Sequence, residues 1–142
     1  MDIRQIMPGF AVAPQIEPTD MAALAALGIT TVIDNRPDHE IPPAVQSDAM
    51  RAAAEAAGPE FVLLPADSRS MTLDLVEQQG AAIAASDGPV LAYCASGTRS
   101  SILWALSQAG TMPAEEIIEA AAQAGYDLSP YRAQIEALAR QN

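Results

Sequence analysis

Between Pro89 and Leu106 the chain reads PVLAYCASGTRSSILWAL, and this stretch restricts the fold more than any other. A short apolar run, Val90 to Tyr93, ends at Cys94, the only cysteine of the chain. Ala95, Ser96, Gly97, Thr98 and Arg99 follow, and an apolar helical pattern begins at once at Ser100. A strand that hands over to a helix through so short a loop belongs in a largely parallel sheet flanked by helices. Ligands of such sheets sit at the carboxyl ends of the strands, where Cys94 falls.

The remaining pattern agrees with this. A strand is predicted near Gly9–Ala13, then a helix capped by Thr19 or Asp20 and stopped by Gly28. ITTVIDN, rich in β-branched residues, predicts a buried strand ending near Asn35. RPDHEIPP reads as loop, because three prolines and several polar residues suit neither helix nor central strand. Helices are predicted from Ala44 to Ala57, Thr72 to Ala85 and Ser100 to Ala109, with EFVLLP as a further strand. Pro113 opens another helix that Gly125 closes, and Ser129-Pro130 opens the last, with the serine as cap. The expected fold is α/β, three-layer, in a single domain over residues 1–142.

The loop itself is built to hold an anion. Successive backbone N–H groups turn toward one point, and the following helix adds its positive end. Gly97 permits the turn, and Arg99 supplies a permanently charged planar fork suited to oxyanions. Amides and guanidinium together favour the thiolate of Cys94. Ser100 is placed to donate a hydrogen bond to that thiolate. A lone cysteine is by itself most often an inert core thiol. In this constellation the nucleophilic reading prevails, with Cys94 and Arg99 as its chemical groups and residues 95 to 98 and Ser100 as the cradle.

Composition removes most rivals. All seven cations are arginines, so a Walker-type lysine and a Schiff base are excluded. One cysteine and one histidine, His39, leave neither an internal disulfide nor a conventional zinc site, and no cofactor is implied. His39 reads as an exposed loop residue. A formal net charge of −11 disfavours nucleic acid as a partner. No apolar tract is long enough for a membrane span, and the first residues lack a signal-peptide core, which points to the cytoplasm.

Two families share such a loop. CASGTR resembles the Cys-x-x-Gly-x-Arg loop of rhodanese sulfurtransferases, with four residues between cysteine and arginine. Protein-tyrosine and dual-specificity phosphatases usually place five there. The order ALGITTVIDNRPDHE, FVLLPADS and then the cysteine strand instead resembles a dual-specificity phosphatase. Together these features resemble the bacterial DUF442 family, the phosphatase-like domain named after the β-lactamase-hydrolase-like proteins, over about Pro14 to Leu138. That resemblance implies a dual-specificity-phosphatase-like fold. It also implies a sulfide-oxidation partner such as a persulfide dioxygenase.

The loop spacing and the need for an acid discriminate the two chemistries. A four-residue spacer makes a tighter ring, better matched to a persulfide sulfur than to a tetrahedral phosphoryl group. Sulfur transfer expels sulfite or a thiolate and needs little general acid, whereas phosphate monoester hydrolysis gains much from one. Asp67, in LPADSRS, is the candidate acid, although loop aspartates commonly form turns. Arg69 could guide an anion, and Ser68 and Ser70 add hydroxyls beside it. Arg36, a possible secondary anion contact, reads first as an ion-pair partner of Asp34, Asp38 or Glu40. The expectation from sequence is therefore a sulfurtransferase. It would carry sulfane sulfur from thiosulfate or a small persulfide, through a Cys94 persulfide, to a thiol acceptor on another molecule. A phosphatase acting on a phosphate ester through Cys94, Arg99 and Asp67 is the alternative, and a non-catalytic anion-binding or redox-sensing module is the third reading.

Overall fold

Parallel pairing carries Cys94 to the middle of the sheet. The computed structural model of the protein describes residues 1–69 and 71–141. Its five strands are β1 (Arg4–Met7), β2 (Phe10–Ala13), β3 (Thr31–Asp34), β4 (Glu60–Leu63) and β5 (Val90–Tyr93). They lie in the order β1-β2-β5-β3-β4, with β5 central. Only β1 runs antiparallel to its neighbour; β2, β5, β3 and β4 are mutually parallel. Tyr93 pairs with Ala13 on one side and Asp34 on the other, so three strand ends converge beside Cys94.

Alternation along β5 divides the core. Val90 and Ala92 join one buried cluster, and Leu91 and Tyr93 the other. The second cluster is covered by α1 (Met21–Ala26) and α2 (Ser47–Ala57), through Met21, Leu24, Met50 and Ala54. The first is covered by α3 (Leu73–Ala85), α4 (Thr98–Ser107), α5 (Ala114–Gln123) and α6 (Arg132–Arg140). Seven consecutive residues of α4, Ser100 to Leu106, are buried, because this helix lies on the sheet and is enclosed by α3, α5 and α6. Within it Trp104 stacks on Phe10 of β2, with ring centroids 6.0 Å apart. The expected three-layer α/β architecture is present.

Several local expectations need correction. Strand β1 is additional: of its four residues only Ile6 is buried, so the edge strand leaves almost no apolar signature. The helix expected from Ala44 begins at Ser47, after a 3-10 turn over Pro43–Val45. Its first turn is held by Asp38, whose carboxylate accepts the Ser47 N–H and the Ser47 hydroxyl, both at 2.7 Å. The helix expected from Ser100 already starts at Thr98, and the last helix starts after a 3-10 turn over Ser129–Tyr131. There the acceptor is Asp127, which takes the Ser129 N–H and hydroxyl, rather than Ser129 itself. Thr72 does cap α3, accepting the Leu75 N–H at 3.1 Å. Among the described residues, no helix is long and apolar enough to cross a membrane.

Candidate active site

Cys94 lies fully buried at the floor of the loop. Its own N–H donates to Ala13 O at 3.3 Å, and Gln15 N–H reaches Ala95 O at 3.4 Å, so the end of β2 fixes the start of the loop. Gly97 adopts φ +93°, a conformation that disfavours any side chain. That turn directs the Gly97 N–H onto Cys94 Sγ at 3.1 Å. Ser96 Oγ accepts the Thr98 N–H at 3.4 Å and donates to Thr98 Oγ1 at 2.9 Å. The N–H groups of Ala95, Ser96, Arg99 and Ser100 have no protein acceptor among the described residues. Four free donors around a buried sulfur make a nest for an anion.

The guanidinium of Arg99 is steadied from outside the loop. Its Nη1 and Nη2 donate to the two carboxylate oxygens of Glu40, both at 2.9 Å, and Nη1 also donates to Ala66 O at 2.8 Å. Arg36 donates to the same carboxylate through Nε at 3.1 Å. Arg36 is thus the ion-pair residue that its sequence context suggests, with Glu40 as partner. The Arg99 hydrogen bond holds the Glu40 carboxyl below its usual range, against burial and with Arg36 assisting. Glu40 in turn raises Arg99, burial opposes, and the Cys94 sulfur adds to the rise, which sets fork and thiol within each other's field. Glu40 carries no motif in the sequence, and only its spacing from Arg36 hinted at a role.

Asp67 directly follows Ala66, whose carbonyl holds Arg99, and its own carboxylate accepts the Arg69 N–H at 2.9 Å in a turn. It is exposed and borders a cleft of about 410 Å³ shared with Pro37, Asp38, His39, Leu63 and Pro65. Among the described residues Asp67 thus has no bond to the cysteine loop or to Arg99; only the carbonyl of its neighbour Ala66 reaches that arginine. His39 is exposed, away from any bond to Cys94. Ser70 lies outside the described residues.

Ser100 departs from expectation. Its hydroxyl donates to Asn35 Oδ1 at 2.8 Å. The direction is fixed by neighbours: Asn35 Nδ2 donates to Leu64 O at 2.8 Å and to Gln79 Oε1 at 2.9 Å, so Oδ1 must face Ser100 and Gln79 Nε2. A hydroxyl has one proton, and here Asn35 takes it, leaving none for the thiolate. Asn35 and Gln79, both fully buried, are site-supporting residues that sequence reading did not single out. Tyr126 is a third: its hydroxyl donates to Ser96 O at 3.0 Å, and its ring lies 5.5 Å from the Arg4 guanidinium.

A buried cysteine under a ring of free amides, with an arginine in the first turn of the next helix, defines a cysteine-loop domain of the phosphatase-like fold. The chain belongs to the beta-lactamase hydrolase-like protein, phosphatase-like domain family, whose model matches residues 2–111. It is 34% identical over 130 residues to a beta-lactamase hydrolase-like protein of Xylella fastidiosa, covering 90% of this chain but 30% of that protein. The chain thus spans about a third of the length of that relative. A solved putative phosphatase from Neisseria meningitidis shares 34% identity over 97% of this chain and 99% of its own, with a TM-score of 0.83. The structure of PTPMT1 superposes with a TM-score of 0.72 at 19% identity, covering 99% of both chains, a likeness of fold.

Proposed function

We propose that the protein hydrolyses phosphate monoesters through a phosphocysteine on Cys94. The observation that carries this reading is the donor count of the loop. The N–H groups of Ala95, Ser96, Arg99 and Ser100 are without protein acceptors among the described residues, and the Arg99 fork stands beside them. Sulfur is a weak acceptor and needs few such donors, whereas the oxygens of a phosphoryl group use them all. The first turn of α4 adds the Arg99 and Ser100 amides to the ring, which offsets the short spacer between cysteine and arginine. The whole-chain likeness to a putative phosphatase supports the same reading.

In the first step the Cys94 thiolate attacks phosphorus and the P–O ester bond breaks. The leaving alcohol takes its proton from the carboxyl of Asp67. Water then attacks the phosphocysteine, the S–P bond breaks, and the Asp67 carboxylate takes the proton of that water. Phosphate release from p-nitrophenyl phosphate tests this directly. Wild type turns over, Cys94→Ser does not, and Asp67→Asn falls about a hundredfold or more.

Sulfur transfer remains the second reading, because four residues rather than five separate Cys94 from Arg99. The thiolate would attack the outer sulfur of thiosulfate, the S–S bond would break and sulfite would leave. An external thiol would then collect the sulfur from the Cys94 persulfide, since the chain has no second cysteine. That thiol could be a small molecule or could belong to a partner such as a persulfide dioxygenase. Intact mass after thiosulfate separates the two: one added sulfur on Cys94, with no phosphate-ester turnover by wild type, overturns the phosphatase reading.

A further inference from the structure

Tyr126 and Cys94 touch the two ends of one peptide group. The Tyr126 hydroxyl donates to Ser96 O at 3.0 Å, and the N–H of that same peptide, on Gly97, donates to Cys94 Sγ at 3.1 Å. We propose that Tyr126 is a positioning residue for the nucleophile, acting on Cys94 through the Ser96–Gly97 peptide plane. It rests on Cys94 being the reacting group, and not on which anion that group attacks.

Two effects follow from the geometry. The peptide plane could otherwise rotate about its flanking torsions, because Gly97 tolerates both signs of φ. Anchoring its carbonyl on Tyr126 keeps the N–H aimed at sulfur. The second effect is electronic: a donor on the carbonyl oxygen polarises the amide, and hydrogen bonds in a chain strengthen one another. A polarised N–H favours thiolate over thiol at Cys94.

The tyrosine is itself fixed. It is nearly fully buried, and the Arg4 guanidinium lies over its ring. Arg4 Nη1 also donates to Ala124 O at 3.2 Å, two residues before the tyrosine. A Cβ on Gly97 would collide with the Tyr126 hydroxyl, so phenol and loop are in direct contact. Burial also holds the phenol above its ordinary range and keeps it a donor where thiols titrate.

The test follows the ultraviolet absorbance of thiolate against pH. The chain has one cysteine and three tyrosines, so Cys94→Ser, made in each tyrosine background, supplies the blank that leaves the signal of Cys94. Tyr126→Phe keeps the ring and removes the donor. The titration midpoint should rise by about half a pH unit, close to a threefold loss of thiolate below the midpoint. Tyr131→Phe, which removes a phenol with no bond to the loop among the described residues, should leave it in place. Site-specific 3-fluorotyrosine at position 126 keeps the shape and makes the hydroxyl a better donor, so the midpoint should fall. This second variant decides the matter should Tyr126→Phe fail to fold. An unchanged midpoint in either variant overturns the proposal, and so does an equal rise in Tyr131→Phe. No substrate enters the measurement: a shift without phosphate release sinks the phosphatase reading alone, and release without a shift sinks the Tyr126 role alone.

Discussion

Asp34 offers the sharpest test of the energetics beneath the site. It ends β3, directly across from Tyr93 of β5, and is fully buried. One carboxylate oxygen, Oδ1, accepts the Arg36 N–H at 2.8 Å. The other, Oδ2, and the Tyr93 hydroxyl are both buried with no partner at good hydrogen-bonding geometry. Burial dominates the balance, and the Asp34 carboxyl is raised from 3.8 to about 6, although the Arg36 N–H and, behind it, Tyr93 favour the carboxylate. Burial likewise pushes the Tyr93 phenol up, and the Asp34 charge adds to that rise. Because the folded value of Asp34 exceeds the unfolded one, the protonated acid is the form that suits the fold. Its contribution is fully present below about pH 4 and is lost as pH rises through about 6. A rise of that size amounts to about 3 kcal/mol, which the ionised protein forgoes at neutral pH. An asparagine side chain at this position would keep the acceptor for Arg36 and turn a donor toward Tyr93, with no charge to bury. Asp34→Asn should therefore be more stable than wild type by about 2–3 kcal/mol at pH 8, raising Tm by roughly 5–10 °C, and should match it near pH 4. Urea unfolding followed by the fluorescence of the buried Trp104 reads the difference. An equal gain at both pH values, or none at pH 8, refutes the reasoning.

Three more outcomes follow from the same contacts. Glu40→Gln frees the Arg99 and Arg36 guanidinia from a partly exposed carboxylate; KM for an anionic substrate should change severalfold, while stability measured by urea should move by less than about 1 kcal/mol. Gly97→Ala places a side chain at φ +93° and against the Tyr126 hydroxyl, so activity should be lost and Tm lowered, by about 2 kcal/mol or more of stability. Ser100→Ala removes a donor that serves Asn35 rather than the thiol. It should cost about 1–2 kcal/mol in unfolding experiments and leave the ultraviolet titration of Cys94 almost where it was.

The parts of this molecule that were legible in its sequence are those whose physics is local. Short runs rich in β-branched or apolar residues gave β3, β4 and β5, and the prolines and glycines between them gave the loops. The spacing from Cys94 to Arg99 gave the cradle, because a strand, a glycine turn and a helix start are all specified by adjacent residues. Strand β1 failed that test, since an edge strand with one buried residue has no period to detect. The start of α2 failed for another reason: its first turn is held by Asp38, nine residues upstream.

The chemical setting of Cys94 is determined by residues that the loop sequence does not mention. Glu40 aims Arg99 from 59 residues away, Tyr126 holds the Ser96–Gly97 peptide from 30, and Asn35 claims the Ser100 proton from 65. Each is a polar side chain in an unremarkable local context, and each acquires its role only in the closed fold. Pairing of β3 with β5 brings Asn35 and the Glu40 loop to the cysteine, and the turn after α5 brings Tyr126. This bears on the choice between phosphate and sulfur. Spacer length describes the covalent ring alone, and by that measure the loop suits sulfur. What the ring offers an anion depends also on which of its donors are already engaged. Here the protein satisfies the Gly97 and Thr98 amides internally and leaves those of Ala95, Ser96, Arg99 and Ser100 without an acceptor among the described residues. A donor set of that size exceeds what the outer sulfur of a persulfide accepts. It matches the oxygens of a phosphoryl group or the SO3 end of thiosulfate, so the free amides favour an oxyanion substrate over a small persulfide in either chemistry.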